Sequence, residues 1–113
     1  MAYKDLVKKR TSELRWYRKN IDKIRGYKQK ARRLRLDYIK RLKETSCKDC
    51  GNYYPSYVMD FDHRQNESKL DTVNRLASIR YGWKKLKEEI QKCDIVCANC
   101  HRIRTYKRKF STE

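Results

Sequence analysis

The sequence predicts a small α+β domain with a helical arm in front of it, and three observations point to this fold class. Four of the 5 cysteines form two C-x-x-C pairs, a spacing that lets a fold close around one metal ion. The chain between and beside these pairs mixes short strand-like runs with helix-like runs. The first 45 residues instead repeat apolar side chains at helical spacing. A chain of 113 residues has room for one compact domain of this kind plus an appendage.

The arm, residues 1–45, has the pattern of a helix with one apolar edge. It contains no proline and a single glycine, Gly26, which lowers helix stability by only about 1 kcal/mol relative to alanine. Asn20 followed by Asp22 could cap a second helix, so one long helix and two shorter helices both fit the pattern. The apolar positions, three or four residues apart, are Leu14, Tyr17, Ile21, Ile24, Tyr27, Ala31, Leu34, Tyr38 and Leu42.

The charge of the arm indicates a polyanionic partner. The chain carries a formal net charge of +17, and 17 of its 31 basic residues lie in the arm beside 5 of its 14 acidic residues. This excess favours binding to DNA phosphates, while the apolar edge favours packing against the rest of the chain or against a second copy in a homodimer. The arm residues expected to contact double-stranded DNA are Arg15, Arg18, Arg32, Arg33 and Arg35.

The cysteines predict a zinc site in a reducing compartment. The first residues are charged throughout and no apolar run is long enough to span a membrane, so we expect no signal peptide and a cytoplasmic location. Cysteines at this spacing in such a compartment are metal ligands rather than disulfides. Gly51 supplies the positive φ that the first loop needs, and Cys93 is the leftover thiol, expected to be buried. The predicted zinc ligands are Cys47, Cys50, Cys97 and Cys100.

A strand is predicted ahead of the first histidine. The run Tyr57–Asp62 alternates, which places Met59 and Phe61 on one face and the two aspartates on the other. The strand therefore presents an Asp-His pair at its tip, Asp62 and His63.

The rest of the second half predicts two helices, a strand and a final helix. Asp71 is the expected cap of the first helix, which ends near Ile79, and a turn at Tyr81–Gly82 leads to the second helix through Ile90. The remaining elements are a short strand over Cys93–Cys97 and a basic helix over Ala98–Lys109 with Ile103 as its inward anchor.

The predicted zinc site is structural, because four thiolates satisfy a tetrahedral ion and leave no position for water or substrate. Any reaction must therefore occur elsewhere. The chain has only 2 histidines, and both flank the cysteine framework: His63 follows Asp62, and His101 follows the last cysteine of the second pair. We expect the fold to carry Asp62, His63 and His101 toward a common point.

Three ordered motifs resemble those of the HNH endonucleases, in the zinc-bound ββα-metal form that is common in phages and mobile elements. The motifs are Cys47-x-x-Cys50, Asp60-Phe61-Asp62-His63-Arg64 and Val96-Cys97-Ala98-Asn99-Cys100-His101-Arg102. The resemblance covers residues 47 to about 108. It implies that residues 46–113 form a small ββα-metal (HNH) nuclease domain with inserted helices and a structural zinc. Residues 1–45 resemble the basic arms of such proteins only in composition, and their charge predicts a DNA-binding arm.

The resemblance also implies roles for the site residues. His63 is the expected general base, and Asp62 and His101 are the expected ligands of a catalytic Mg²⁺ or Mn²⁺ ion. The family's middle asparagine has no counterpart at its usual position, so Asn99 or Asp94 is expected to orient His63 instead. The arginines expected to neutralise phosphates near the site are Arg64, Arg102 and Arg104.

The activity expected from this resemblance is hydrolysis of DNA phosphodiester bonds, with 5′-phosphate and 3′-hydroxyl ends as products. A single site nicks one strand, and a pair of chains would cut both. Two other classes fit parts of the sequence. A non-catalytic, zinc-stabilised nucleic-acid-binding protein needs the same charge and the same zinc, whereas a redox protein would use the C-x-x-C thiols but agrees poorly with the positive charge.

Overall fold

The computed structural model describes residues 2–79 and 82–110 and confirms the α+β class. Its sheet has two antiparallel strands. The chain divides into two compact units, Met1–Arg33 and Leu34–Glu113. In chain order the elements are α1 (Tyr3–Leu42), a 3₁₀ turn (Ser56–Val58), β1 (Met59–His63), α2 (Val73–Ser78), α3 (Gly82–Gln91), β2 (Cys93–Cys97) and α4 (Ala98–Phe110).

The arm pattern forms one helix rather than two. Helix α1 runs without interruption from Tyr3 to Leu42, and the side chain of Asn20 bonds back to the Trp16 carbonyl (2.7 Å) instead of capping a new helix. Gly26 lies within α1 with open space around its Cα. In the unit Met1–Arg33 every described side chain is exposed or half-buried. None of the helices in the described ranges combines the length and apolarity that crossing a bilayer requires.

The strands β1 and β2 pair in a register that determines the site. Met59 lies opposite Cys97, Asp62 opposite Asp94, and His63 opposite Cys93. The predicted first strand begins two residues too early, because Pro55 starts a 3₁₀ turn in which Val58 N–H donates to the Pro55 carbonyl (2.9 Å). The predicted bounds of β2 are confirmed.

Two helices connect the strands, with small errors in their predicted ends. The cap of α2 is Thr72, whose hydroxyl accepts from Arg75 N–H (3.2 Å), so the prediction of Asp71 is wrong by one residue. Helix α2 ends at Ser78, one residue before Ile79. In the predicted turn, Gly82 has a φ of 75° and begins α3, and Tyr81 lies outside the described residues.

The unit Leu34–Glu113 has two small buried clusters. One joins the last turns of α1 to α2 and α3 through Ile39, Val73, Leu76, Ala77 and Leu86. The other surrounds the cysteine pairs and consists of Cys47, Met59, Val96, Cys97 and Cys100. Each cluster buries only a few apolar side chains, so we expect the second cluster to need a metal bound to its cysteines to hold its segments together.

Helix α4 forms where the sequence predicts it, but its inward face is polar. Ile103 is 50% exposed, so its prediction as the inward anchor is wrong. Cys100 instead turns toward the cysteine cluster, and Arg104 turns toward three carboxylates. Cys93, predicted to be buried, is half-buried; burial, together with the charge of Glu89, raises its pKa to about 11.

Candidate functional site

The four predicted zinc ligands lie together. Cys47 and Cys50 occupy a loop closed by Gly51, whose φ is 77° and whose N–H donates to the Cys47 carbonyl (2.8 Å). Cys97 ends β2, and Cys100 lies in the first turn of α4. All four sulfur atoms lie within 4.8 Å of one another. A tetrahedral ion with bonds of about 2.3 Å to sulfur sets its ligand sulfurs about 3.8 Å apart, so the cluster could hold a metal such as zinc.

The electrostatics of the cluster favour a bound cation. Burial opposes ionisation of Cys47, but hydrogen bonds from the backbone amides of Cys50, Cys97 and Asp49 lower its pKa to about 6. The opposite holds for Cys100, because its contact with the Cys97 sulfur and its burial raise its pKa to about 12. The surroundings therefore stabilise the thiolate of Cys47 and disfavour ionisation of Cys100. A divalent cation at the centre removes this conflict.

Beside the cluster, His101 lies between two carboxylates of β1. Its Nδ1 is 3.0 Å from Asp60 Oδ2, and its Nε2 is 3.4 Å from Asp62 Oδ1. Asp60 and Asp62 share a face of the strand because side chains alternate along β1, and α4 lies against that face. The fold therefore brings the predicted pair Asp62 and His101 together, and adds Asp60, which the sequence had placed only on the same face.

Both carboxylate oxygens of Asp62 accept hydrogen bonds from arginines. Arg108 binds it through two nitrogens, both at 2.8 Å, and Arg104 Nη1 donates to its Oδ2 at 2.9 Å. The side chain is only 5% exposed, compared with 43% for Asp60. Burial raises the pKa of Asp62, but the arginine hydrogen bonds outweigh burial and lower it overall. Of the two carboxylates beside His101, Asp60 is thus the more accessible.

Arg104 is the centre of an ion-pair network. Besides Asp62, its guanidinium donates to both oxygens of Asp49, each at 2.6 Å, and to Asp94 Oδ2 at 3.0 Å. These hydrogen bonds raise the pKa of Arg104 above its ordinary value and lower those of the carboxyl groups. The network ties the first cysteine loop, both strands and α4 together.

His63 has its contact on the α3 side. Its Nε2 is 2.7 Å from Glu89 Oε2, and the Glu89 side chain is 1% exposed. Because alternation turns adjacent strand residues to opposite faces, His63 contacts α3 while Asp62 contacts α4. Of the three residues expected at a common point, the fold pairs Asp62 with His101 and gives His63 a separate acidic partner.

The predicted orienting residues have other surroundings. Asn99 is exposed at the start of α4, and Asp94 accepts hydrogen bonds from Arg104 and Lys48. Asn99 lines an open cavity of about 410 Å³ with Ala98, His101, Arg102 and Thr105. This cavity lies along the first turns of α4 and makes His101 accessible from solvent.

The predicted DNA-contacting arginines divide into exposed and internally bonded groups. Arg64 donates to the carbonyls of Gln91 and Cys93 and pairs with Asp94, and Arg35 Nε donates to the Ala77 carbonyl (2.8 Å). Arg104 belongs to the network above. The exposed arginines of the predicted set are Arg15, Arg18, Arg32, Arg33 and Arg102.

Glu89 and Arg108 are the site residues that the sequence analysis missed. Glu89 had a detectable signal, because it stands three residues after Leu86 and one before Ile90, on the apolar stripe of α3 where a charge is unexpected. Arg108 gave no such signal among the basic residues of α4.

Comparisons with known protein families, with curated proteins and with solved structures find no match for this chain. The class that the fold and the site define is therefore a coarse one. The chain is an α+β protein with a two-stranded antiparallel sheet and a four-cysteine cluster that could bind a metal.

Proposed function

We propose that this protein is a metal-dependent endonuclease of the HNH type that hydrolyses phosphodiester bonds of DNA. The observation that carries the proposal is the position of His101. It contacts carboxylates of two β1 residues, opens to a cavity at the start of α4, and lies one residue after a zinc-type ligand. An imidazole beside carboxylates, next to helix amides that attract anions, suits the binding of a phosphate diester.

The donor types suit a hard divalent cation, but the side chains must move to share one ion, because Asp60 faces Nδ1 of His101 and Asp62 faces Nε2. Asp60 and Asp62 offer carboxylate oxygens and His101 offers an imidazole nitrogen, a combination that Mg²⁺ and Mn²⁺ accept. Asp62 joins such a site only if Arg108 or Arg104 releases one of its oxygens, whereas Asp60 is available as it stands. When bound, the ion supplies positive charge to the phosphate under attack.

The remaining steps belong to the chain's own residues. His63 is the proposed general base, because an imidazole takes up a proton near neutral pH and Glu89 fixes one edge of the His63 ring. His63 and His101 lie on opposite faces of β1, so this role requires the phosphate to bind at the end of the strand, where His63 is the last residue. Arg102, exposed on the cavity wall, is available to bind a flanking phosphate. Water attacks the phosphorus in line with O3′ and the P–O3′ bond breaks; the leaving O3′ takes up a proton from solvent, so the ends are a 5′-phosphate and a 3′-hydroxyl.

The arm supplies affinity rather than chemistry. Residues 1–33 contain 13 Lys or Arg and 3 Asp or Glu, and their described side chains are exposed or half-buried. Contacts of this kind bind duplex DNA through its phosphates and weaken steeply with salt. We propose that a single chain nicks DNA and that pairing of two chains produces double-strand breaks.

Incubation of supercoiled plasmid with the zinc-loaded protein tests the proposal. Nicked circles should form with Mg²⁺ or Mn²⁺ and not without a divalent ion, and DNA ligase should seal the nicks because the ends are 5′-phosphate and 3′-hydroxyl. His63→Ala, purified in parallel, should retain DNA binding in a gel-shift assay and lose about 10²–10⁴-fold in nicking rate. Equal nicking by both proteins would point to a contaminant and remove the proposal.

One observation favours a second candidate, a non-catalytic zinc-stabilised protein that binds nucleic acid. Asp62 is already held by Arg108 and Arg104, an arrangement that serves the fold without any reaction. This candidate predicts tight, salt-sensitive DNA binding with no nicking under any divalent ion.

A further inference from the structure

Glu89 is an almost completely buried carboxylate that the fold has arranged around His63. It lies on α3 with 1% of its side chain exposed. Oxygen Oε2 lies 2.7 Å from His63 Nε2 and accepts from the Leu70 N–H at 3.0 Å, and Oε1 accepts from Lys92 Nζ at 2.9 Å. These groups come from β1, from the loop before α2 and from the turn after α3.

The carboxylate is ionised in this setting. Burial alone raises the pKa of Glu89, but the hydrogen bonds from Lys92, His63 and Leu70 outweigh burial and lower it overall. An ionised carboxylate only accepts hydrogen bonds, so the nitrogen that faces it must carry a hydrogen. In the neutral ring this places the hydrogen on Nε2 of His63 and leaves the lone pair on Nδ1.

The other edge of the ring is available for a proton transfer. Among the described residues no hydrogen bond involves His63 Nδ1, and the side chain is 12% exposed. A histidine that acts as a general base needs one ring nitrogen held by the protein and the other with an accessible lone pair.

We propose that Glu89 is the positioning residue that sets the tautomer and ring orientation of His63, so that Nδ1 receives the proton from the attacking water. The proposal rests on the proposed nuclease function and assigns to Glu89 the role that the sequence analysis had left between Asn99 and Asp94. Glu89 acts only through His63 and touches neither DNA nor the divalent ion.

Three variants separate positioning from simple support of the fold. Glu89→Leu removes the acceptor and should lower kcat for nicking by about 10- to 100-fold at unchanged KM, because the ring loses its fixed orientation. Glu89→Gln retains a carbonyl acceptor toward His63 and should recover part of that loss. Glu88→Gln is the matched control, since it neutralises the exposed glutamate next to Glu89 on α3, and it should nick at the wild-type rate.

A double-mutant comparison tests whether Glu89 works through His63. In a His63→Ala background, Glu89→Gln should change the remaining rate by less than about twofold, because the group that it positions is already absent. Circular dichroism and zinc content establish that each variant is folded. If Glu89→Leu does not fold, Glu89→Gln and the control Glu88→Gln still decide: equal losses in both would identify a structural role and overturn the proposal.

A spectroscopic measurement makes the result independent of activity. The chain has 2 histidines, so ¹⁵N imidazole shifts can be assigned with a single His101→Ala variant. We expect the Nε2–H tautomer for neutral His63 in the wild type and a mixture in Glu89→Leu. Wild-type protein with this tautomer but no nicking would defeat only the nuclease function. Nicking that survives Glu89→Leu at full rate, or the Nδ1–H tautomer in the wild type, would defeat only the positioning role.

Discussion

Replacement of Asp62 by asparagine tests the ion-pair network directly, whatever the protein does. The change keeps the size of the side chain but removes its charge and puts an NH₂ group opposite the guanidinium donors of Arg104 and Arg108. Removing one partner of a buried ion pair costs about 3–5 kcal/mol. We expect the free energy of unfolding to fall by an amount near the lower figure, about 3 kcal/mol, because Arg108 is 32% exposed and can be hydrated once the pair is broken. The melting temperature should fall by about 10–20 °C.

Asp60→Asn is the matched control for this experiment. Asp60 lies two residues away on the same strand face, contacts the same histidine, and is far more exposed than Asp62. An exposed pair of this kind contributes about 0–1 kcal/mol. Urea unfolding of both variants, followed by circular dichroism at one fixed free-zinc concentration, compares them. If the two variants unfold within about 0.5 kcal/mol of each other, the network does not stabilise the fold as described.

Three further measurements follow from the same structure. Cys50→Ser should fail to retain zinc and should lose the part of the helical circular dichroism signal that comes from α2, α3 and α4. Cys93→Ser should retain one zinc per chain, and metal analysis after dialysis measures the zinc content of both variants. The carboxyl groups paired with Arg104 have lowered pKa values, so they stabilise the folded protein above about pH 4 and cease to do so as the pH falls further. The urea midpoint should therefore be lower at pH 3 than at pH 6. Gly26→Ala should stabilise α1 by at most about 1 kcal/mol, because open space surrounds Gly26 and alanine favours a helix. Gly51→Ala should destabilise the protein by about 1 kcal/mol, because Gly51 has a positive φ. Thermal melts measure both changes.

Local chemistry made the cysteine cluster and the main elements predictable. The C-x-x-C spacing identified the ligand loops, and the glycine after the second thiolate had to adopt the positive φ that Gly51 has. Alternation and helical period located β2 and α4 to within a residue because both lie beside ligands with fixed positions in sequence. These features depend on neighbours in the chain, and the sequence contains that information.

The contacts across the site could not be predicted in the same way. Which acidic residue meets His63 depends on how α3 packs against β1, a distance of 26 residues along the chain. Likewise, Asp62 was predicted from its motif alone, and its two arginine partners come from α4, 42 and 46 residues further along the chain. The HNH assignment and the DNA-binding role of the arm therefore stay predictions until nicking and binding are measured.

Two of the four clustered cysteines, Cys97 and Cys100, lie where β2 ends and α4 begins. Cys97 ends the strand and Cys100 lies in the first turn of the helix, so loss of a metal from the cluster would loosen the junction that carries His101 and the arginines of the network. Cys50, the exposed member of the four, is the first that a cellular oxidant would meet. Loss of a metal from the cluster, or oxidation of Cys50, would therefore disturb the position of His101 while leaving the histidine and carboxylate side chains chemically intact.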